Sequence, residues 1–291
     1  MPTPLSLENG QLSQQQIDQY WEDGFLFPIP VMSAEEAAQL RAELETIERD
    51  YLAADLPQPL NTYKRVNSHL VMPMAANLAM NTRVLDVVQG ILGPDILTFS
   101  VEFFIKEAQT SHIVSMHQDL TYWGLGAIDG LTTAWIALSP ATPASGCMDF
   151  VRGSHKNPIL PHEDTFDDNN LLSRGQEIQV EVAEEDKVPI EIHPGEMSLH
   201  HGLTIHGSGP NTSPDRRIAA VIRFMRPDSV PADRETFGMV TRGADRCRNT
   251  ILCAPPREYF APADLALYDE IRASQARVMM AGATQESKVY A

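Results

Sequence analysis

The chain has 291 residues, 43% of them hydrophobic, enough to build one large core or two smaller ones. Its 22 basic against 39 acidic residues give a formal charge of -17, which argues against nonspecific binding to nucleic acid or to an anionic membrane, since both need a cationic face. The start, MPTPLSLENGQLSQQQ, has no basic or apolar signal region and no stretch reaches membrane-spanning length, so a cytoplasmic protein is expected.

In chain order, LSQQQIDQYWEDG places Ile17, Tyr20 and Trp21 at helical spacing and stops at Gly24, and FLFPIPV follows as a short extended piece. Ser33 and Glu36 form a capping box opening a helix through AEEAAQLRAELETIERDYLAA, whose narrow apolar stripe suits a helix packed on the outside of a core. A third helix is expected through TRVLDVVQGIL, capped by Asn81 and stopped at Gly93-Pro94.

From Ile96 the texture changes to strands: ILTFSVEFFIK, HIVSMHQ, LTTAWIALS, CMDFVRG, VPIEIH, GEMSLHHGL and RIAAVIRFM, separated by turn residues. This density predicts an antiparallel sandwich or barrel. The polar PHEDTFDDNNLLSRGQEI reads as a long loop able to cover a barrel mouth. One domain over 1–291 is expected, mainly β with flanking helices: a β core at about 96–226, N-terminal helices within 13–92 and a C-terminal helix at about 262–281. Cys147, Cys247 and Cys253, without CxxC spacing, read as free thiols.

Within MHQDLTYWGL, strand alternation puts His117 and Asp119 on one face with Gln118 turned away. Two ligands need a third, and His112, His155, His162, His193, His200, His201 and His206 are candidates. His206 is favoured because a strand-like run meets a Gly-Ser-Gly-Pro-Asn turn there. Arg217 begins RIAAVIRFM, where Ile218, Ala220, Ile222 and Phe224 form one face and Arg217, Ala219, Val221 and Arg223 the other. An inward arginine needs an anionic partner, which a ligand carboxylate supplies. Two histidines and one carboxylate with open positions form the facial set of non-haem iron(II) oxygenases.

His117-Gln118-Asp119, AWIAL, GCMDFVRGSHK, PGEMSLHHGLTIHGSGPN and Arg217, in that order, resemble the phytanoyl-CoA dioxygenase (PhyH) family of iron(II)- and 2-oxoglutarate-dependent oxygenases. The resemblance implies a double-stranded β-helix (jelly roll, cupin-like). It implies His117, Asp119 and His206 as iron ligands and Arg217, with Ser208, Trp135 and Gln118, as co-substrate contacts. Lys64-Arg65 falls loosely where a further cationic contact is sometimes found, though solvated charges are the simpler expectation. Family relatives that halogenate carry a small residue in place of Asp119, so hydroxylation of an unactivated C–H is implied, with Fe(2+), 2-oxoglutarate and O2 consumed to give succinate and CO2.

Tyr122, Trp123, Lys106 and Arg223 are the expected substrate contacts. The scarcity of basic residues leans toward a small polar metabolite, zwitterionic or anionic, such as an amino-phosphonate or amino-acid-like compound. An acyl-CoA ester, a cupin-like metal enzyme without a keto acid, and a β-sandwich binding module with structural histidines are the alternatives.

Overall fold

The computed structural model describes residues 1–279 except 122, 127, 173, 233 and 234. Helices α1 (Gln14–Asp23) and α2 (Ala34–Tyr51) both open on reciprocal capping boxes, Ser13 with Gln16 and Ser33 with Glu36. α1 ends at Gly24 with φ +87°, and a Cβ there would strike the His155 ring and Thr204, so glycine is required twice over. The short helices α3 (Leu60–Arg65) and α4 (Pro73–Ala79) lie in a stretch without a readable helical period. α5 (Thr82–Leu92) is capped by Asn81, whose side chain accepts from the Arg83 and Val84 amides, and α6 (Pro262–Met279) follows the sheets.

The strands are β1 (Phe25–Pro30), β2 (Ile96–Lys106), β3 (Val114–His117), β4 (Leu131–Ala137), β5 (Met148–Val151), β6 (His162–Asp164), β7 (Gln176–Ile178), β8 (Lys187–Pro189), β9 (Glu196–His201), β10 (His206–Ser208), β11 (Arg217–Met225), β12 (Phe237–Arg242) and β13 (Ile251–Leu252). The order β1-β9-β4-β11-β2-β12-β13 makes a seven-stranded sheet, β3-β10-β5-β8 a four-stranded one, and β6-β7 a separate hairpin. Every pairing is antiparallel except β12 with β13. The two larger sheets face each other as a jelly roll, with Phe25, Trp135, Phe150, Ile192 and Val221 packed between them.

Alternation sorts the large sheet into two faces. Val101, Phe103, Ile136, Leu199, Ile218 and Ile222 join the helices in the main core, each fully buried aliphatic or aromatic side chain contributing about 1.5–3 kcal/mol. The intervening positions, Glu102, Lys106, Thr133, His200, Arg217 and Arg223 among them, point between the sheets. The split of β11 into an Ile218/Ala220/Ile222/Phe224 face and an Arg217/Ala219/Val221 face is seen in this packing.

The sheet is not confined to 96–226. β1 is an edge strand, which is why Pro28 and Pro30 are tolerated, and it is bulged between Leu26 and Ile29. β12 and β13 extend the opposite edge. The polar insertion holds the β6-β7 hairpin, in which Ile178 is the one apolar residue, so no hydrophobic alternation is there to read. All three cysteines are free. Among the described residues no helix is long and apolar enough to cross a membrane.

Candidate active site

β3 stops at His117, and Asp119 opens a 3-10 turn, Asp119–Thr121. The two residues therefore do not share a strand face as alternation implied. The chain turns over at Gln118, and that turn brings Asp119 Oδ1 to 3.6 Å from His117 Nε2. His206 opens β10 directly opposite His117 in the antiparallel ladder, with ring centroids 4.2 Å apart. One donor atom from each of His117, Asp119 and His206 lies within 4.8 Å of the other two, and all three residues are buried.

The hydrogen bonds behind these rings test whether a metal fits. His117 Nδ1 lies 2.9 Å from the Ser115 carbonyl and His206 Nδ1 2.9 Å from the Thr204 carbonyl. A carbonyl only accepts, so each Nδ1 carries the proton and each Nε2 presents its lone pair to the cluster. Burial holds His206 well below the ordinary imidazole range. Burial would raise the Asp119 carboxyl, but the Arg223 charge, and then the neighbouring imidazoles of His117 and His200, outweigh it and hold the group well below the usual carboxylate range. An ionised carboxylate and tautomer-fixed imidazoles suit a divalent first-row metal.

The outer oxygen of Asp119 is held separately. Thr133 Oγ1 donates to Oδ2 at 3.2 Å, His200 Nε2 lies 3.6 Å away and Arg223 Nε 4.0 Å. These residues form one row across the large sheet, since Thr133 stands opposite both His200 on β9 and Arg223 on β11. Removing the Thr133 hydroxyl loosens one of these restraints. Thr133→Val is expected to weaken iron(II) affinity about tenfold with little change in melting temperature, measured by equilibrium dialysis and thermal unfolding.

The triad opens on a cavity of about 480 Å³ whose wall includes Trp135, Ser208 and Arg217. Arg217 is 1% exposed. Its Nη1 donates to the Gly146 carbonyl at 2.8 Å, and its guanidinium carbon lies 5.2 Å from the Trp135 ring centroid. No carboxylate pairs with it among the described residues, and its Nε has no hydrogen-bond partner. Burial pushes its pKa down to about 10. Gly146, at φ +69°, packs against the Gly209 and Pro210 carbonyls, where a Cβ would collide, so the loop that supports Arg217 also demands glycine.

Comparison with known proteins now bears on this arrangement. The sequence model of the family described as phytanoyl-CoA dioxygenase (PhyH) matches residues 20–219, more than half of the chain. The chain belongs to the phytanoyl-CoA dioxygenase family. A probable phytanoyl-CoA dioxygenase of Caenorhabditis elegans is 29% identical over 151 residues, covering 50% of this chain and 48% of that protein. The chain thus spans about half the length of that curated relative. The solved structure of apo ThoJ, described as a non-heme monooxygenase, is 29% identical with a TM-score of 0.81, covering 91% of this chain and 97% of that one. CytC3 with Fe(II) and alpha-ketoglutarate, 19% identical with a TM-score of 0.63 over 86% of this chain and 97% of that one, shares the fold.

Around this phytanoyl-CoA dioxygenase family centre, the remaining expected residues divide. Trp123 and Arg223 line the cavity, the guanidinium carbon 4.8 Å from the Trp123 ring centroid, and Arg223 Nη2 lies 2.6 Å from Glu102 Oε1. Tyr122 lies outside the described residues. Gln118 does not line the cavity: its amide is spent on backbone, accepting from Leu160 N–H at 2.8 Å and donating to the Leu203 and Pro158 carbonyls at 2.9 and 3.3 Å. Lys106 does not line it either, because its Nζ is taken up beneath Ser208.

Neither Lys64 nor Arg65 is a solvated charge. Lys64 is buried with Nζ 2.5 Å from Glu48, while Arg65 lines the cavity with its guanidinium 4.2 Å from the Phe104 ring centroid. Among the competing histidines, His201 faces Asp129 at 3.3 Å, His162 Nε2 accepts from the Gln118 backbone N–H at 3.1 Å, and His200 Nε2 lies 3.6 Å from Asp119 Oδ2. Sequence reasoning missed Glu102 and Thr133. Glu102 shares the β2 parity of Lys106 and was recoverable from that alternation once Lys106 was taken to point inward. The hydroxyl of Thr133, inside an apolar strand, carries no such signal.

Proposed function

We propose that the chain is an iron(II)- and 2-oxoglutarate-dependent dioxygenase that hydroxylates an unactivated C–H of a small polar metabolite. The observation that carries this reading is the pairing, in one cavity, of a tautomer-fixed His117-Asp119-His206 cluster with a buried arginine that lacks a carboxylate partner among the described residues. His117, Asp119 and His206 would hold the iron, and Arg217 with Ser208 and Trp135 the co-substrate. When bound, the iron and co-substrate supply dioxygen activation coupled to loss of CO2, leaving succinate and one oxygen atom for the substrate.

The residues of this chain do the rest. Arg217 takes the distal carboxylate and so fixes the direction in which the keto acid enters. Thr133, His200 and Arg223 hold one oxygen of Asp119, leaving the other for the metal. Asp119 also fills the place a halide would need, which favours hydroxylation. A cupin-like enzyme without a keto acid would have no use for Arg217.

The substrate reading rests on size and charge. A cavity of about 480 Å³, edged by Arg65, Glu102 and Arg223, suits a small zwitterion or anion, such as an amino-acid-like or amino-phosphonate compound. A CoA ester would bring nucleotide phosphates to a chain of charge -17. The test is 2-oxoglutarate-to-succinate conversion by the iron-loaded chain over a panel of amino acids, amino-phosphonates and acyl-CoA esters. Stimulation by a small polar compound is the expected result. Stimulation by acyl-CoA esters alone would overturn the substrate class, and failure to bind 2-oxoglutarate with iron(II) present would overturn the reaction.

A further inference from the structure

Lys106 ends β2 directly opposite Arg217 on β11. It is 1% exposed, yet no carboxylate pairs with it among the described residues. Its Nζ has three partners instead, all of them acceptors: Ser208 Oγ at 2.7 Å, the Ser208 carbonyl at 3.2 Å, and the Gly209 carbonyl. An ammonium has three N–H donors and no lone pair, so every donor is spent. Ser208 Oγ must therefore accept, and its own O–H must donate elsewhere. Among the described residues that proton has no acceptor, and Ser208 lines the cavity beside Arg217.

We propose that Lys106 is a positioning residue for the co-substrate: by occupying Ser208 Oγ as an acceptor, it turns the Ser208 hydroxyl proton into the cavity next to the Arg217 guanidinium. A carboxylate arriving there meets two donors already aimed, one charged and one polarised, without reorganisation of either. The inference rests on the dioxygenase reading above.

The arrangement also has an electrostatic side. Burial first, and then the neighbouring Arg217 charge, push the Lys106 pKa down to about 7, while Cys147 and Asp149 on the opposite sheet pull it upward. A neutral amine has a lone pair that can accept from Ser208, which would turn the hydroxyl away from the cavity. A bound carboxylate offsets the Lys106–Arg217 repulsion and favours the ammonium. Above about pH 7, binding therefore draws a proton onto Lys106.

Calorimetric titration of 2-oxoglutarate into the full iron(II)-loaded chain without oxygen tests this. Lys106→Met and Ser208→Ala should each weaken binding about tenfold, and the double variant should be no more than about twofold worse than either, because Lys106 acts through Ser208. The unsubstituted chain should take up a proton on binding at pH 8, seen by comparing buffers of different ionisation enthalpy, and Lys106→Met should abolish the uptake.

Single effects that multiply to about a hundredfold, or Lys106→Met binding as tightly as the unsubstituted chain, would overturn the proposal. Should Lys106→Met fail to fold, Lys106→Gln, which keeps N–H donors for Ser208, should bind within about threefold yet take up no proton; uptake by that variant would overturn the proposal. If the unsubstituted iron-loaded chain bound no 2-oxoglutarate, the dioxygenase reading itself would fall.

Discussion

His206→Ala is expected to strip the chain of iron, and His200→Ala is not. His206 Nε2 is one of three donors converging on a single point, so its removal should cut iron(II) affinity by more than about a hundredfold and abolish hydroxylation. His200 is as deeply buried and lies in the same HHGLTIH segment, but its Nε2 faces Asp119 Oδ2, the oxygen also held by Thr133. Losing it relaxes Asp119 without removing a ligand, and iron affinity should fall no more than about tenfold. Bound iron per chain after dialysis, with circular dichroism to verify folding, decides between them; full iron retention by His206→Ala with loss by His200→Ala would reverse the ligand assignment.

Arg217→Met should separate stability from co-substrate binding. In the free chain Arg217 is a fully buried cation with no carboxylate beside it among the described residues, so an apolar replacement of similar volume is neutral or stabilising by about 1–3 kcal/mol. A melting temperature unchanged or a few degrees higher is therefore expected. The same change removes the cation proposed to receive the distal carboxylate, and should cost about 2–4 kcal/mol of 2-oxoglutarate binding, or roughly thirtyfold to several-hundredfold in affinity. Thermal unfolding with and without 2-oxoglutarate reads both effects. A variant that melts lower but keeps its ligand-induced shift would show that Arg217 is structural.

Most of the metal cluster was legible because its residues are chemically conspicuous: an imidazole and a carboxylate in an apolar stretch, and a second imidazole before a glycine-rich turn. The geometric reason was different from the one alternation suggests. His117 is the last residue of its strand, and the turn after it, set by the Gln118 amide, brings Asp119 back. A two-residue repeat cannot report where a strand stops, and the co-substrate contact that the resemblance implied for Gln118 gives way to hydrogen bonds with the chain itself.

The same limit explains the fold. Long strands, β2 and β11 above all, are visible in the sequence, and their two faces follow a two-residue repeat up to the register shift between Arg223 and Phe224. β1 contains two prolines and forms by pairing with the distant β9, while β6 and β7 are three-residue strands that pair only with each other, too short for an alternation to show. Lys64 looked solvated because its partner Glu48 lies on another helix, sixteen residues earlier.

The Gln118 amide has a broader consequence. By fastening the Leu160 and Leu203 backbones to the link between His117 and Asp119, it ties together the segments that carry His117, Asp119 and His206. Zinc fingers fold only around their ion, whereas cross-links made by the chain itself should let the iron-stripped protein keep a cooperative thermal unfolding transition.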